Sequence, residues 1–288
     1  MRNKRKRSAK KNVEMYSMLG PTSVWMILFI MIPICMFVVY SFWIVEKQMI
    51  VRVLSLKNYV RFFTNIMYPT LLVRSLIIAV GVTLTTLVFG YPLALFIYRR
   101  KGRSKSILYM LVVIPLLTSY IVRIYTMRLL LGSKGVINNF LLFLGLIEEP
   151  LQILLFNRFA IFLTLCVVLS PFMVMPIYTS LEKIPKSFIE AARDLGSNEL
   201  QTFWRVIFPN TKPGVIAGCM FIFVLSLGDF LTPILVGGKQ GTTLSKVIQV
   251  NFGFAYDWPL GAALSVILLT ISLTIILISN RFGALREV

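Results

Sequence analysis

Six stretches of about 20 or more mostly apolar residues recur along a chain of 288. They cover residues 22–45, 71–98, 107–131, 159–181, 213–236 and 258–280. A bilayer hydrocarbon core about 30 Å thick takes about 20 residues of helix. In lipid each backbone N–H and C=O must bond within its own segment, so stretches of this kind are helices. The expected fold class is therefore all-α: a polytopic membrane protein with six transmembrane helices. Composition agrees, with 57% hydrophobic and 14% charged residues, against about 25% charged in an ordinary soluble domain. A basic segment precedes the first stretch, as in a secretory leader. Its apolar run is too long for one, however, and no small-residue cleavage site follows, so it reads as a retained helix. Residues 1–20 form a basic tail, and residues 21–288 a single six-helix membrane domain.

Charge gives the orientation. With six spans both termini lie on one side. That side collects Arg2 to Lys11, Arg99 to Lys105, Lys183 to Lys212, Arg281 and Arg286, nineteen Lys and Arg in all. The other side has eight, among them Lys47, Lys134, Arg158 and Lys239. The excess of positive charge belongs in the cytoplasm, which places both termini there. The tail from Arg2 to Lys11 reads as a topology signal in contact with anionic membrane lipid, and no nucleic-acid partner is expected.

The chain contains no His, which excludes Ser-His-Asp and Cys-His catalysis and His-ligated metals. Cys35, Cys166 and Cys219 lie far apart within apolar runs and form no metal-binding pair. No catalytic residue, metal site or bound cofactor is expected, and the chain is not read as an enzyme.

The polar segment between the fourth and fifth spans is the most informative. Pro185 and Ser187 suit a helix start, and Phe188, Ala191, Ala192 and Leu195 then share one apolar face. Gly196 is placed as a stop. A second amphipathic stretch begins near Ser197, carries Leu200, Phe203, Trp204 and Ile207 on its apolar side, and is expected to end at Pro209 and Pro213. The pattern is that of a short helix, a turn and a second short helix, a rigid knob for a groove on a partner.

Glu190-Ala191-Ala192, three residues, Gly196, nine residues, then Val206-x-Phe208-Pro209 resembles the EAA loop of ABC importer permeases, with Val206 and Phe208 where the family pattern has Ile and Leu. The runs 116–125, Lys134-Gly135, 171–176 and Gly228-Asp229-Phe230 with Gly237-Gly238 are similar to those of spermidine/putrescine (polyamine) importer permeases; the alternative is a permease of the same fold for an oxyanion, iron(III) or an opine-like solute. The resemblance implies the type I importer (MetI-like) fold, residence in the bacterial inner (plasma) membrane and a coupling loop at 182–212. It also implies a second homologous permease, two ATPase subunits and an extracytoplasmic binding protein as partners. The chain has no GxxxxGK[ST] phosphate loop, so ATP and Mg would be used by the partner ATPase. Glu190 would orient the coupling helix and Gly196 would permit its turn.

Asp229 is the single acidic residue within a span. A charge there must face protein or water. Two readings stay open: a pathway carboxylate that attracts ammonium groups, or an ion pair with Arg74, Arg123 or Arg128. Tyr120, Tyr125, Phe230, Tyr256 and Trp258 offer rings either for cation–π contact or for packing and interfacial anchoring. Arg123, near the same outer end, completes the set of pathway candidates with Asp229, Phe230 and Tyr120; Arg123 and Arg128 also suit structural anchoring or contact with the binding protein. Pro171 and Pro176 are expected to kink the fourth span. Gly214-x3-Gly218 permits close helix approach.

Overall fold

The computed structural model describes the backbone of residues 2–47 and 49–284; Arg286 and the side chains of the basic residues 2–11 lie outside what is described. The chain is almost entirely helical. Helix α1 (Arg2–Ser41) leads into a small hairpin, β1 (Ile44–Glu46) and β2 (Met49–Val51), paired antiparallel with Ile44 opposite Val51. Then follow α2 (Lys57–Thr64), α3 (Met67–Arg99), α4 (Arg103–Val113), α5 (Tyr120–Leu131) and α6 (Val136–Phe143). The second half consists of α7 (Arg158–Glu182), α8 (Lys186–Asp194), α9 (Glu199–Thr202), α10 (Phe208–Gly228), α11 (Leu231–Leu235), α12 (Leu244–Gly253) and α13 (Trp258–Ala284). The hairpin escaped the all-α expectation because three-residue strands are too short to show alternation.

Among the described residues five helices are long and apolar enough to cross a membrane, or six if one bent pair is taken as a single span. The third span is not the continuous helix expected over 107–131. The chain turns by 100° between Arg103–Leu117 and Tyr120–Phe143. Pro115 cannot donate a helical bond, residues Ile114–Leu117 tighten into a 3-10 turn, and Thr118 and Ser119 are extended. Thr118 closes the turn by donating its N–H and its hydroxyl to the Pro115 carbonyl at 3.2 and 2.7 Å. The fourth span, α7, passes through Pro171 and Pro176 without a break in its helix. Ser170 donates to the carbonyl of Val167, the acceptor that Pro171 leaves free, at 2.9 Å.

Helices α3, α7 and α10 form the core. Three buried hydroxyls inside α3 bond back to its own carbonyls, Ser75 to Leu71, Thr83 to Ala79 and Thr86 to Val82 at 2.7–2.8 Å, so these three are paired in an apolar setting. At the centre lies fully buried Met173 of α7. A Cβ on Gly90 of α3 would meet Met173 Cγ at 3.1 Å, and one on Gly218 of α10 would meet Met173 Sδ at 2.8 Å. One turn away, a Cβ on Gly214 would collide with the Pro176 carbonyl and Ser180. The Gly214-x3-Gly218 stripe is thus the seam along which α10 closes on α7. By contrast the apolar part of α1 has no buried residue in its membrane window. It leans on α13, with Phe37 edge-on to Phe252 of α12 at 5.6 Å, and is otherwise exposed.

Gly218→Ile places a branched side chain where Met173 already sits. The expected cost is about 1–3 kcal/mol, read as a lowered unfolding temperature of the detergent-purified protein. Gly228→Ala meets nothing within 4 Å and should leave that temperature unchanged.

Candidate functional site

The loop between α7 and α10 is built as a rigid elbow. Ile184 and Ile207 are buried at its two ends and tie it to the core. Pro185 opens α8. The helix closes on Gly196 at φ +81, with Gly196 N–H to the Arg193 carbonyl at 2.8 Å and Ser197 N–H to the Ala192 carbonyl at 3.0 Å. This pair of bonds is a Schellman closure, and only glycine enters its left-handed position without strain. Two residues later Asn198 caps α9. Its side chain accepts Gln201 N–H at 2.8 Å, and Gln201 Oε1 accepts Asn198 N–H at 3.2 Å. This reciprocal box fixes the direction of the second limb.

The second limb does not end at Pro209 and Pro213, as the sequence led us to expect. It runs through a π-helical turn, Phe203–Ile207, straight into α10. The wider turn bonds Phe208 N–H to the Phe203 carbonyl, one residue further back than an α-helix would. Pro209, which has no N–H to donate, follows directly after this wide turn, at the start of α10. The fifth span therefore starts at Glu199 and is broken after Gly228, instead of filling 213–236.

The motif residues divide between two faces. Val206 and Phe208 are half-buried. Phe203 and Phe208 pack on Tyr91 of α3 at ring separations of 5.7 and 6.0 Å, and the Tyr91 hydroxyl bonds Thr211 at 2.8 Å in the interior. Pro209, Glu190 and Ala191 are exposed, and Ala192 is half-buried. Glu190 takes part in none of the ion pairs among the described residues. Phe188, Leu195, Leu200 and Trp204 are 53–86% exposed: an apolar rim on a polar elbow, of which Trp204 also packs edge-on to Phe203 and Phe208 at 5.1 and 5.2 Å. Two charged clasps brace the base. Glu199 receives Arg99 at 3.4 Å and Arg193 at 3.8 Å, while Glu182 takes Lys105 at 2.7 Å and the Tyr178 hydroxyl at 2.8 Å. The capping box and the clasps went unnoticed in the sequence; Asn198-x2-Gln201 was the readable signal for the first.

At the far end of α10, Asp229 makes no ion pair with any of the three arginines. Arg74 donates to the Thr242 carbonyl at 3.1 Å, Arg123 to the Val168 carbonyl at 3.0 Å, and Arg128 lies over the Phe156 ring at 5.6 Å. The Asp229 carboxylate instead accepts Leu231 N–H at 3.2 Å and Thr232 N–H at 3.1 Å. These bonds hold the first turn of α11, and the extended backbone of Asp229 itself separates α10 from α11. Thr232 brings Tyr120 to the same place, hydroxyl to hydroxyl at 3.5 Å. Arg123 lies 5.5 Å from the Tyr120 ring centre, and its Nε is buried without a partner. Asp229, Tyr120 and Arg123 thus form one cluster. Phe230 borders a different cleft, against Phe252 and Gly253 of α12. Tyr125 and Tyr256 are exposed, and Trp258 packs on Phe252 at 6.1 Å.

Comparison with known proteins agrees with this architecture. Residues 87–282 match the family described as "Binding-protein-dependent transport system inner membrane component". The spermidine/putrescine transport system permease protein PotB of Escherichia coli (strain K12) is 40% identical over 245 residues, 85% of this chain and 88% of that protein. The PotB protein of Haemophilus influenzae is 34% identical over 262 residues, 91% of each chain. Among solved structures, a bacterial ABC transporter involved in the import of the acidic polysaccharide alginate has a chain of the same fold. It superposes with a TM-score of 0.76 at 18% identity, covering 98% of this chain and 99% of that one. The chain is a multi-pass transport permease and belongs to the binding-protein-dependent transport system inner membrane component family.

Proposed function

We propose that this permease takes up polyamines, spermidine or putrescine, as one membrane-spanning half of an ATP-driven importer. The solute reading is supported by the extent of the likeness to PotB, which spans nearly all of both chains. The observation that carries the mechanism is the elbow at 182–212, with its exposed apolar rim. An ATPase subunit docks there. A second, homologous permease carries an equivalent elbow for a second ATPase, and an extracytoplasmic binding protein delivers solute at the opposite end. ATP and Mg are bound by the ATPases, and this chain supplies no catalysis of its own.

The positive-charge bias puts the elbow, the tail at 1–20 and both termini in the cytoplasm. Phe188, Ala191 and Leu195 form the docking face, and Glu190 meets a cation of the ATPase. Val206, Phe208 and Pro209 form the root that carries motion into α10. Because Ile184 and Ile207 anchor the elbow at the ends of two spans joined along a glycine seam, movement of the ATPases rocks α7 and α10 together. At the outer end Asp229 holds α11 in place while its remaining lone pairs face the solute path. Tyr120 and Phe230 offer ring faces to ammonium groups, and Arg123 orders the Tyr120 ring.

Three outcomes are expected. Gly196→Val forces a branched residue into a left-handed turn at a cost of about 1–2 kcal/mol. It should lower solute-stimulated ATPase activity in reconstituted vesicles while leaving membrane insertion intact; unchanged coupling rules out the elbow's role. Asp229→Asn keeps an oxygen to cap α11 but removes the charge. Radiolabelled spermidine uptake should fall about tenfold or more at an unchanged unfolding temperature, and undiminished uptake and affinity remove Asp229 from the pathway. A single cysteine at Ser187, introduced after Cys35, Cys166 and Cys219 are replaced, should react with an impermeant maleimide only in inside-out vesicles. Labelling in right-side-out vesicles overturns the orientation.

A further inference from the structure

A cleft of about 490 Å³ lies between α3 and α7, away from both the elbow and the Asp229 cluster. Its α3 wall is one helical stripe, Arg74, Ile77 and Gly81, and its α7 wall is Arg158, Phe159 and Phe162. The two guanidiniums stand at one end and the apolar residues run along the rest. Ile77 is 67% exposed, so the cleft opens sideways off the helices. A Cβ at Gly81 would meet the Phe162 ring at 3.2 Å, so this glycine lets the two walls close into a floor.

Among the described residues the charges at the mouth have no counter-ion. Arg74 Nη1 reaches the Thr242 carbonyl at 3.1 Å and Arg158 Nε the Gln240 carbonyl at 3.3 Å. Neither takes part in the ion pairs among the described residues, which involve Arg61, Arg99, Lys105 and Arg193. The two bonds hold both guanidiniums against one loop, and among the described residues neither makes a further side-chain hydrogen bond. Like charges pinned side by side favour an anion between them.

Depth identifies which anion. On α3, twenty-five residues separate Arg74 from Arg99, and the same number separates Arg158 from Lys183 along α7 and its cap. Each interval spans about 38 Å, longer than the hydrocarbon core of about 30 Å and close to the full bilayer with headgroups. Arg74 and Arg158 therefore lie together at the level of lipid phosphates, with the apolar walls below them at acyl-chain depth. We propose that this cleft is a binding site for an anionic phospholipid, its phosphate between Arg74 and Arg158 and one acyl chain along Ile77, Gly81 and Phe162. A bound lipid would tie α3 to α7 and neutralise the cations at the rim of the transport domain.

The test is native mass spectrometry of the full-length protein, with phosphatidylglycerol and phosphatidylcholine of identical chains as probes. The wild type should retain phosphatidylglycerol in preference to phosphatidylcholine. Arg74→Gln and Arg158→Gln should each weaken phosphatidylglycerol retention about fivefold, and Arg158→Lys should restore most of it. Ile77→Trp fills the cleft and should reduce retention of both lipids. Equal retention of the two lipids by the wild type, or unaltered retention in the Gln variants, overturns the proposal. So does displacement of phosphatidylglycerol by inorganic phosphate, which would mark a free-anion site. The readout needs neither a transported solute nor an ATPase, so its outcome is separate from that of the importer reading.

Discussion

The structure depends on one close approach. Met173 of α7 is wedged between Gly90 of α3 and Gly218 of α10, and the three helices reach each other only because two of them have no side chain at the contact. Association of helices within lipid has little hydrophobic drive, since acyl chains are as apolar as leucine. What holds the spans is packing, together with the few polar groups that find partners, such as Tyr91 with Thr211. The remaining spans attach to this core more loosely, and α1 barely touches it.

The elbow depends on the same contact. It is short, closed by a Schellman turn and a capping box, and its buried apolar residues are Ile184 and Ile207. A force applied to its rim has no soft segment in which to dissipate. It enters α7 at one end and α10 at the other, the two helices joined by the glycine seam. The break at Asp229 marks the other limit of α10, so the rigid unit runs from the elbow to the α11 cap.

Much of this was legible in the sequence. Long apolar runs announce spans because lipid leaves the backbone no alternative to helix, and Gly196 announced its turn because few other residues tolerate it. The failures share a cause. The third span looked continuous since Pro115 and the Thr118-Ser119 pair interrupt the backbone without interrupting the hydrophobicity. The second limb of the elbow looked finished at Pro209 because a π-turn leaves no mark on an apolar pattern. The ion pair weighed for Asp229 does not form; its carboxylate accepts backbone N–H groups two and three residues ahead, a local use that rules about ion pairs do not reach.

The π-turn at Phe203–Ile207 also separates two requirements that a plain helix would have fused. Each residue of an α-helix advances the face by about 100°. The one-residue surplus of the wide turn lets Leu200 and Trp204 look outward while Ile207, Thr211, Gly214 and Gly218 look inward. Phase, rather than chemistry, is what this stretch stores. A single deletion there would swing the outer rim by a quarter turn or more against a seam that cannot follow.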